Sequence, residues 1–312
     1  MNRKPSLKTV DGVLLLDKTP GFTSNAALQR AKRLLGARKA GHTGSLDPIA
    51  SGLLPLCFGE ATKLSGFLLN TDKRYRVQVR LGVTTTTGDA EGAITATQPV
   101  PPLTEAQIEA TLAAFRGEIF QVPPMFSALK QGGRRLYELA REGLEVRREP
   151  RRVTLYELRL EGFDGSVLDL SVHCSKGTYI RTLAEDIGRA LGCGGHVQAL
   201  RRTAVGDLEV RDAHTLDQLE ALAEGERSTL LLPMDHIVAR WPAVQLNELL
   251  SFYVRKGEAV QVPRAPKEGW VRLYHRETVF LGVGEVLDDG RIAPRRLVKP
   301  RPKTGPSLAD RG

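Results

Sequence analysis

The chain has 312 residues, of which 41% are apolar, and its formal net charge is +9. That length suggests two domains of roughly 100–200 residues each, and the positive charge favours a polyanionic partner such as nucleic acid. Three cysteines without close spacing exclude a closed disulfide framework and a cysteine-based zinc site. No run of about 18 apolar residues is present and the first residues do not resemble a secretory signal, so we expect a cytoplasmic protein without membrane or metal.

The first half of the chain alternates strand and helix patterns. Residues 12–17, GVLLLD, predict a buried strand, and Ser24 is predicted to cap a helix that ends near Gly36. Residues 75–82, YRVQVRLG, alternate apolar and polar positions, which predicts a half-buried strand. Residues 104–107, TEAQ, match a capping box at the start of an amphipathic helix.

The second half of the chain predicts a hairpin, a helix and a separate β-rich region. Residues 153–174 predict the hairpin, with its turn at Asp164-Gly165, and the helix follows from about Thr178. This irregular alternation indicates the α+β class with a central antiparallel or mixed sheet. Residues 236–247 resemble a linker, and the strand patterns beyond them predict a small β domain of roughly 65 residues. The last twelve residues, 301–312, are predicted to be disordered.

Two segments concentrate the positive charge. Residues 133–152 hold seven Arg and four Glu, and residues 291–312 hold seven Lys or Arg and one Asp. Arginine-rich loops on a globular body suit contact with phosphate groups. For the mixed stretch 134–149, a solvated helix with internal salt bridges is an equally good interpretation.

A single carboxylate stands in the glycine-rich stretch at residues 41–47, GHTGSLD. Asp47 precedes Pro48, and Asp followed by Pro is typical of a helix N-terminus. Considered alone, this stretch is more often a helix cap than a catalytic site. Since the stretch contains no other carboxylate, it does not fit a metal nuclease. A zinc-dependent base deaminase is excluded because no His-x-Glu precedes a Cys-x-x-Cys.

Four segments in this order resemble the TruB family of tRNA pseudouridine synthases. They are KTPGFTS at 18–24, GHTGSLDPIASGLLPLCFGEATKLS at 41–65, KRYRVQVRLG at 73–82 and CSKGTYIRTLAEDIGRALGCGGHVQALRRTAVG at 174–206. The resemblance implies a pseudouridine-synthase catalytic domain over residues 1–240 and a small PUA-like RNA-binding domain over residues 245–300. It also implies a basic thumb-like insertion at about 124–152, mobile without RNA. The expected reaction is the isomerisation of uridine 55 in the T loop of tRNA.

The resemblance assigns catalytic roles to Asp47, Tyr75 and Arg181. Asp47 matches the family's catalytic aspartate, and one ionised carboxylate can act as nucleophile or base without a metal or redox cofactor. Whether it attacks C1′, attacks C6 or removes the C2′ proton stays open. Arg181 matches the arginine that pairs with it, although its place off the apolar stripe favours an exposed side chain. Tyr75 matches an aromatic residue that stacks on the base, although its phase with Val77 also fits the core.

The resemblance also implies substrate-binding residues. His42 would enter the space left by a flipped-out uridine. Lys18 matches a family segment that resembles a structural support beneath the site. The remaining matches are Tyr179 and Leu200 beside the site and Arg134, Arg135 and Arg141 in the thumb-like insertion.

The implied partner is the T arm of tRNA, with no cofactor and no obligate protein partner. Two alternatives remain at this point. One is an RNA-binding or tRNA-folding protein without catalysis, and the other is a catalytic subunit that depends on guide RNA.

Overall fold

The computed structural model describes residues 9–299, so the tail predicted to be disordered, 301–312, lies outside the described residues. The described strands, in chain order, are β1 (Gly12–Lys18), β2 (Ala40–His42), β3 (Ser51–Phe58), β4 (Lys73–Leu81), β5 (Val83–Thr85), β6 (Ile94–Thr97), β7 (Gly117–Gln121), β8 (Lys130–Gln131), β9 (Arg134–Arg135), β10 (Arg151–Phe163), β11 (Val167–Cys174), β12 (Gly195–Val205), β13 (Leu208–Glu209), β14 (Ala243–Leu246), β15 (Trp270–His275), β16 (Val279–Val286) and β17 (Ile292–Leu297).

The described helices alternate irregularly with these strands. They are α1 (Ser24–Leu34), α2 (Ser65–Leu69), α3 (Glu105–Ala113), α4 (Leu136–Arg141), α5 (Ile180–Ala190), α6 (Leu216–Ala221) and α7 (Glu248–Arg255). Short 3₁₀ helices lie at Gly59–Lys63, Val210–Asp212, Arg227–Leu230 and Met234–Val238. Within residues 9–299, no helix combines the length and apolar character needed to cross a membrane.

A mixed sheet of nine strands forms the centre of the larger body. Its order is β1-β3-β12-β4-β11-β10-β7, with β2 added to β3 and β13 added to β12. The β3–β12 pair is parallel and the other pairs in this sheet are antiparallel. The predicted α+β class with a mixed central sheet is therefore confirmed.

The alternation predicted for β4 is present in the structure. Val77, Val79 and Leu81 are buried against the helices, whereas Arg76 and Arg80 lie on the other face of the sheet. The hairpin is also present, because β10 and β11 pair on either side of the Asp164-Gly165 turn. These local patterns succeed because alternation fixes which face of a strand is buried.

Helix α5 packs its apolar stripe against the sheet beside β12. Its buried side chains include Ile180, Leu183, Ala184 and Ile187, and they join the main core cluster. The second residue of this helix, Arg181, reaches the loop between β2 and β3. The packing of α5 thereby brings a guanidinium to the loop that carries Asp47.

Two local predictions are wrong. The N-cap of α1 is Thr23, whose hydroxyl accepts a bond from the Ala26 N–H at 3.1 Å. Ser24 is buried and instead bonds to the backbone N–H and C=O of Leu46. The residues predicted as a linker, 236–247, include β14, which pairs in parallel with β15.

A second sheet, β14-β15-β16-β17, forms the smaller C-terminal body together with α7. The predicted small β-rich region is therefore present, with one helix that the sequence patterns did not predict. Phe67 of α2 packs against Trp241 and Trp270 at ring-centroid distances of 4.9 and 5.1 Å. These three rings join the larger body to the C-terminal sheet.

Candidate active site

Asp47 lies in the loop between β2 and β3, at the end of the parallel β3–β12 pair. Its carbonyl accepts a bond from the Ala50 N–H at 3.0 Å, which closes a turn, and the next element is a strand. The helix-cap interpretation of Asp47 is therefore wrong. The Asp47 side chain is 38% exposed, so the carboxylate is accessible to solvent.

Arg181 holds the Asp47 carboxylate with two contacts. Its Nε lies 2.9 Å from Oδ2, and its Nη2 donates to Oδ1 at 3.3 Å. The same guanidinium donates to the carbonyls of Thr87 at 2.8 Å and Phe126 at 2.7 Å. The arginine is 5% exposed, so the interpretation of Arg181 as a surface residue is wrong. A guanidinium fixed by these partners gives the carboxylate one direction.

The site contains opposing electrostatic effects on Asp47. Burial raises the pKa of Asp47 above its usual range, while the positive charge of Arg181 opposes that rise. A second buried carboxylate, Asp89, lies 3.7 Å from the Arg181 Nε and accepts a bond from the Glu91 N–H. Arg181 thus contacts two acidic side chains, of which Asp47 is partly exposed and Asp89 is buried. The sequence patterns had not singled out Asp89.

Tyr75 lies on β4, opposite Arg202 of β12. Its half-buried ring packs against the main core, as its phase with Val77 indicated, and the Asp47 charge acts on its hydroxyl. Burial raises the pKa of Tyr75 to about 12, although Arg202 acts in the opposite direction. The hydroxyl is therefore protonated at neutral pH.

Arg202 is a buried residue at the site that the sequence analysis missed. It is 2% exposed and donates to the carbonyls of Leu53, Gly44 and Ser45. Strand alternation offered a signal for it, because two successive residues of a strand point to opposite faces, so in a strand with one packed face one of the two arginines is buried. Arg201 faces outward and pairs with Asp17, so Arg202 faces the core.

Lys18 lies on β1, which pairs with β3, and His42 lies on β2, which leads into the loop. The Lys18 ammonium donates to the carbonyls of Phe22 at 2.8 Å, Thr19 at 3.0 Å and Pro48 at 3.2 Å. Burial lowers its pKa to about 8. The half-buried His42 ends β2, burial lowers its pKa, and its Nδ1 has no hydrogen-bond partner within residues 9–299. His42 is therefore neutral near pH 7.

Tyr179 and Leu200 border the same region from α5 and β12. The Tyr179 backbone exchanges hydrogen bonds with the Gln121 side chain, at 3.0 and 3.3 Å, and burial raises the pKa of its hydroxyl. Leu200 is 7% exposed and lies opposite Val77 of β4. Arg181 contacts Asp47 directly, and the Asp47 charge acts on Lys18, Tyr75 and Tyr179, so these side chains lie around Asp47 at one end of the sheet.

The three thumb arginines do not contact Asp47. Arg134 pairs with Glu142, while Arg135 and Arg141 lie over the Tyr137 ring at 5.8 and 5.5 Å. All three belong to the segment between β7 and β10. The base of this segment reaches the site, since the carbonyl that Arg181 contacts belongs to Phe126.

Comparison with family models decides the identity of this chain. Residues 32–180 match the N-terminal domain of TruB family pseudouridylate synthases, and residues 181–239 match a tRNA pseudouridylate synthase B C-terminal domain. Residues 242–298 match the C-terminal region described for pseudouridine synthase II TruB. The chain belongs to the TruB family. It is therefore an enzyme of the pseudouridine synthase class.

Relatives and solved structures agree with this family. The chain is 57% identical over 292 residues to a tRNA pseudouridine synthase B from Nitrosococcus oceani, covering 93% of this chain and 95% of that protein. It is 54% identical over 298 residues to one from Coxiella burnetii, covering 94% and 96%. The solved Cbf5-Nop10-Gar1 complex contains a chain that is 25% identical to this one, with a TM-score of 0.70 and coverages of 96% and 91%.

Proposed function

We propose that this TruB family enzyme isomerises uridine 55 in the T loop of tRNA to pseudouridine. The observation that carries the proposal is the partly exposed Asp47 carboxylate, held by Arg181 at the end of the sheet beside Tyr75. The relatives at 54–57% identity are named tRNA pseudouridine synthase B, which supports tRNA as the substrate. Uridine 55 follows from the family resemblance of the loop that carries Asp47.

The reaction rearranges bonds without changing the oxidation level of the substrate. The bond from C1′ to N1 of uracil breaks, the base turns over, and C1′ joins C5. The C5 proton leaves and N1 gains a proton, so atoms and charge balance. Asp47 acts as the nucleophile at C1′ or C6 or as the base at C2′, and no cofactor enters this balance.

The surroundings of Asp47 suit a base that leaves the RNA stack. The Tyr75 ring offers a stacking surface, and its phenolic oxygen can accept the C5 proton in its ionised form, which Arg202 favours against burial. The neutral His42 ring would occupy the space that the flipped nucleotide leaves. Lys18 supports the loop through Pro48, and the family resemblance assigns Tyr179 and Leu200 to binding of the uridine.

The remaining parts of the chain are assigned to RNA binding by the same proposal. Residues 1–240 form the catalytic domain, and its insertion at 124–152 places Arg134, Arg135 and Arg141 along the T arm. Residues 245–300 form a PUA-like domain that adds contacts to the tRNA. The enzyme acts alone in the cytoplasm, without guide RNA or an obligate protein partner.

The guide-dependent alternative finds support in the solved relatives, because two matched chains come from H/ACA ribonucleoprotein complexes. Those chains are only 23–25% identical to this one, whereas the proteins named tRNA pseudouridine synthase B are 54–57% identical. The stand-alone enzyme is therefore the better-supported function. Under the guide-dependent alternative, the purified protein alone would not act on tRNA.

The test uses tRNA transcript labelled with tritium at uracil C5, because the isomerisation releases that tritium to water. We expect release by the purified protein alone, and no release from a transcript with cytidine at position 55. Asp47→Asn should abolish release while tRNA affinity in filter binding changes less than about threefold, because the amide keeps the shape but not the charge. Tight binding without release by the wild type would instead support the non-catalytic alternative.

A further inference from the structure

Arg202 is a buried cation whose hydrogen-bond acceptors are neutral. Its Nε donates to the Leu53 carbonyl at 2.8 Å, its Nη2 to the Gly44 carbonyl at 3.1 Å and its Nη1 to the Ser45 carbonyl at 3.4 Å. No Asp or Glu in residues 9–299 forms an ion pair with it. Burying a guanidinium without a carboxylate is costly, so its place in the core calls for a compensating role.

The three acceptors lie on the two sides of the catalytic residue. Gly44 and Ser45 precede Asp47 in the loop, and Leu53 follows it on β3. The planar guanidinium of Arg202 therefore links the start of the loop to β3, the strand that follows the loop. Arg181 sets the direction of the carboxylate, whereas Arg202 sets the position of the backbone that carries it.

Arg202 also faces the second catalytic candidate. It pairs with Tyr75 across β12 and β4, and its positive charge lowers the pKa of Tyr75 against the larger effect of burial. A cation beside the phenolic oxygen favours the phenolate, which is the form that can accept the C5 proton and become neutral.

We propose that Arg202 is a positioning residue for the isomerisation, which holds the Gly44–Ser45 backbone and the Tyr75 hydroxyl in one fixed frame. Asp47 and Tyr75 then meet the flipped uracil at a constant separation. This inference rests on the proposed function, because it assigns Arg202 a part in the same reaction. A lysine cannot replace the arginine, since its ammonium is a single point charge without the fork that reaches both sides of the loop.

The test compares Arg202 with its neighbour Arg201, which offers a matched control. Arg201 lies on the same strand but faces outward, with its side chain 41% exposed and its Nη2 2.7 Å from Asp17. We would measure single-turnover tritium release at saturating tRNA, the tRNA dissociation constant and the melting temperature. The variants are Arg202→Lys, Arg202→Met, Arg201→Lys and Arg201→Met.

The expected result is a lower rate with unchanged binding. Release by Arg202→Lys should fall about 100-fold, the scale of an ångström-sized misplacement of a catalytic group. The tRNA dissociation constant should change less than about threefold, and both Arg201 variants should release tritium within about threefold of the wild type. If Arg202→Met unfolds at the assay temperature, the rate of Arg202→Lys alone is compared with that of the wild type, because lysine keeps the charge and a hydrogen-bond donor.

A double-mutant cycle separates positioning from general stability. In the Tyr75→Phe background, Arg202→Lys should slow release by less than about 100-fold, because the effect exerted through the hydroxyl is already absent while the hold on the Gly44–Ser45 backbone remains. Additive effects in this cycle would overturn the proposed frame. An unchanged rate in folded Arg202→Lys, or an equal decrease in rate and affinity, would also overturn it. Absence of release by the wild type would instead contradict the proposed function.

Discussion

At the scale of single residues, the ionisation of Asp47 depends on a balance between burial and Arg181. Burial raises the pKa of Asp47 above its ordinary value of 3.8, and the guanidinium at 2.9 Å limits the rise. A nucleophile or base must be ionised, so the rate should fall as the pH drops through this raised pKa. The folded chain binds the proton more tightly than the unfolded chain, so ionisation of Asp47 lowers stability as the pH rises through the same window.

Replacing Arg181 should therefore move the acid limb of the pH profile to higher pH. In Arg181→Gln we expect the midpoint to rise by about one unit or more, because an adjacent opposite charge lowers a carboxyl pKa by about one to three units. The measurement is single-turnover tritium release between about pH 4.5 and 8.5. Arg181→Lys keeps the charge and should shift the midpoint less. Identical midpoints in all three proteins would show that Arg181 does not control the ionisation.

At the scale of elements, the Asp47 loop depends on the close approach of two backbones. Gly52 has φ of +100°, and a Cβ at this position would lie 2.2 Å from the Arg202 carbonyl oxygen. Only glycine fits such a distance, because real Cβ atoms do not approach backbone oxygen so closely. The parallel contact between β3 and β12 therefore requires this residue.

Gly52→Ala should lower the free energy of unfolding by about 3 kcal/mol or more, from backbone strain together with the clash. Gly21→Ala is the matched control, since Gly21 has φ of +85° but no atom within 4 Å of the added Cβ. That substitution should cost only about 1 kcal/mol. Urea unfolding measures both values, and equal costs would mean that the clash contributes nothing.

The insertion between β7 and β10 makes a separate prediction about RNA binding. Arg135 and Arg141 flank Tyr137, whereas Arg134 is already paired with Glu142. Arg135→Gln/Arg141→Gln should weaken tRNA binding, and the salt slope should decrease by about 0.9 for each phosphate that the variant no longer neutralises. The measurement is the tRNA dissociation constant across a range of KCl concentrations.

The control for the insertion removes the same charge elsewhere. Arg189 and Arg211 each have a side chain that is 76% exposed and lie outside the insertion. Arg189→Gln/Arg211→Gln should leave the salt slope within error of the wild type. Equal slopes for the insertion variant and the wild type would place the phosphate contacts elsewhere on the protein.

At the scale of the whole molecule, the two bodies share a small aromatic junction. Phe67 of the larger body meets Trp241 and Trp270 edge-on, and the two indole rings stack at 5.3 Å. Trp241 and Trp270 are the two tryptophans of the chain. Tryptophan fluorescence therefore reports on this junction alone.

Phe67→Leu should loosen the junction while keeping most of its apolar volume. Removal of the two ring–ring interactions should cost about 1–3 kcal/mol, and the tryptophan transition in urea should occur before the far-UV circular dichroism transition. In the wild type, the two transitions should coincide. Phe120→Leu, at a position 72% exposed, is the control and should leave both transitions unchanged. Coincident transitions in Phe67→Leu would show that the rings do not couple the two bodies.

The sequence by itself determined the elements whose signals are local. Alternation fixed the buried face of β4, turn residues fixed the β10–β11 hairpin, and the apolar stripe fixed the packed face of α5. The resemblance of the GHTGSLD segment to a known family singled out Asp47 among the carboxylates. Each of these signals lies within a few residues of chain, which is why they are readable without the fold.

Only the tertiary structure decided which charged residues are buried and what they hold. Arg181 looks exposed in its helix pattern, yet its partner Asp47 lies 134 positions away in the chain. Arg202 contacts Gly44 and Ser45 from 158 and 157 positions away. Strand β14 lies within the segment predicted to be a linker and pairs with β15. A charged side chain can be buried only where hydrogen-bond acceptors surround it. Here residues distant in the sequence provide these acceptors, and they come together only when the chain has folded.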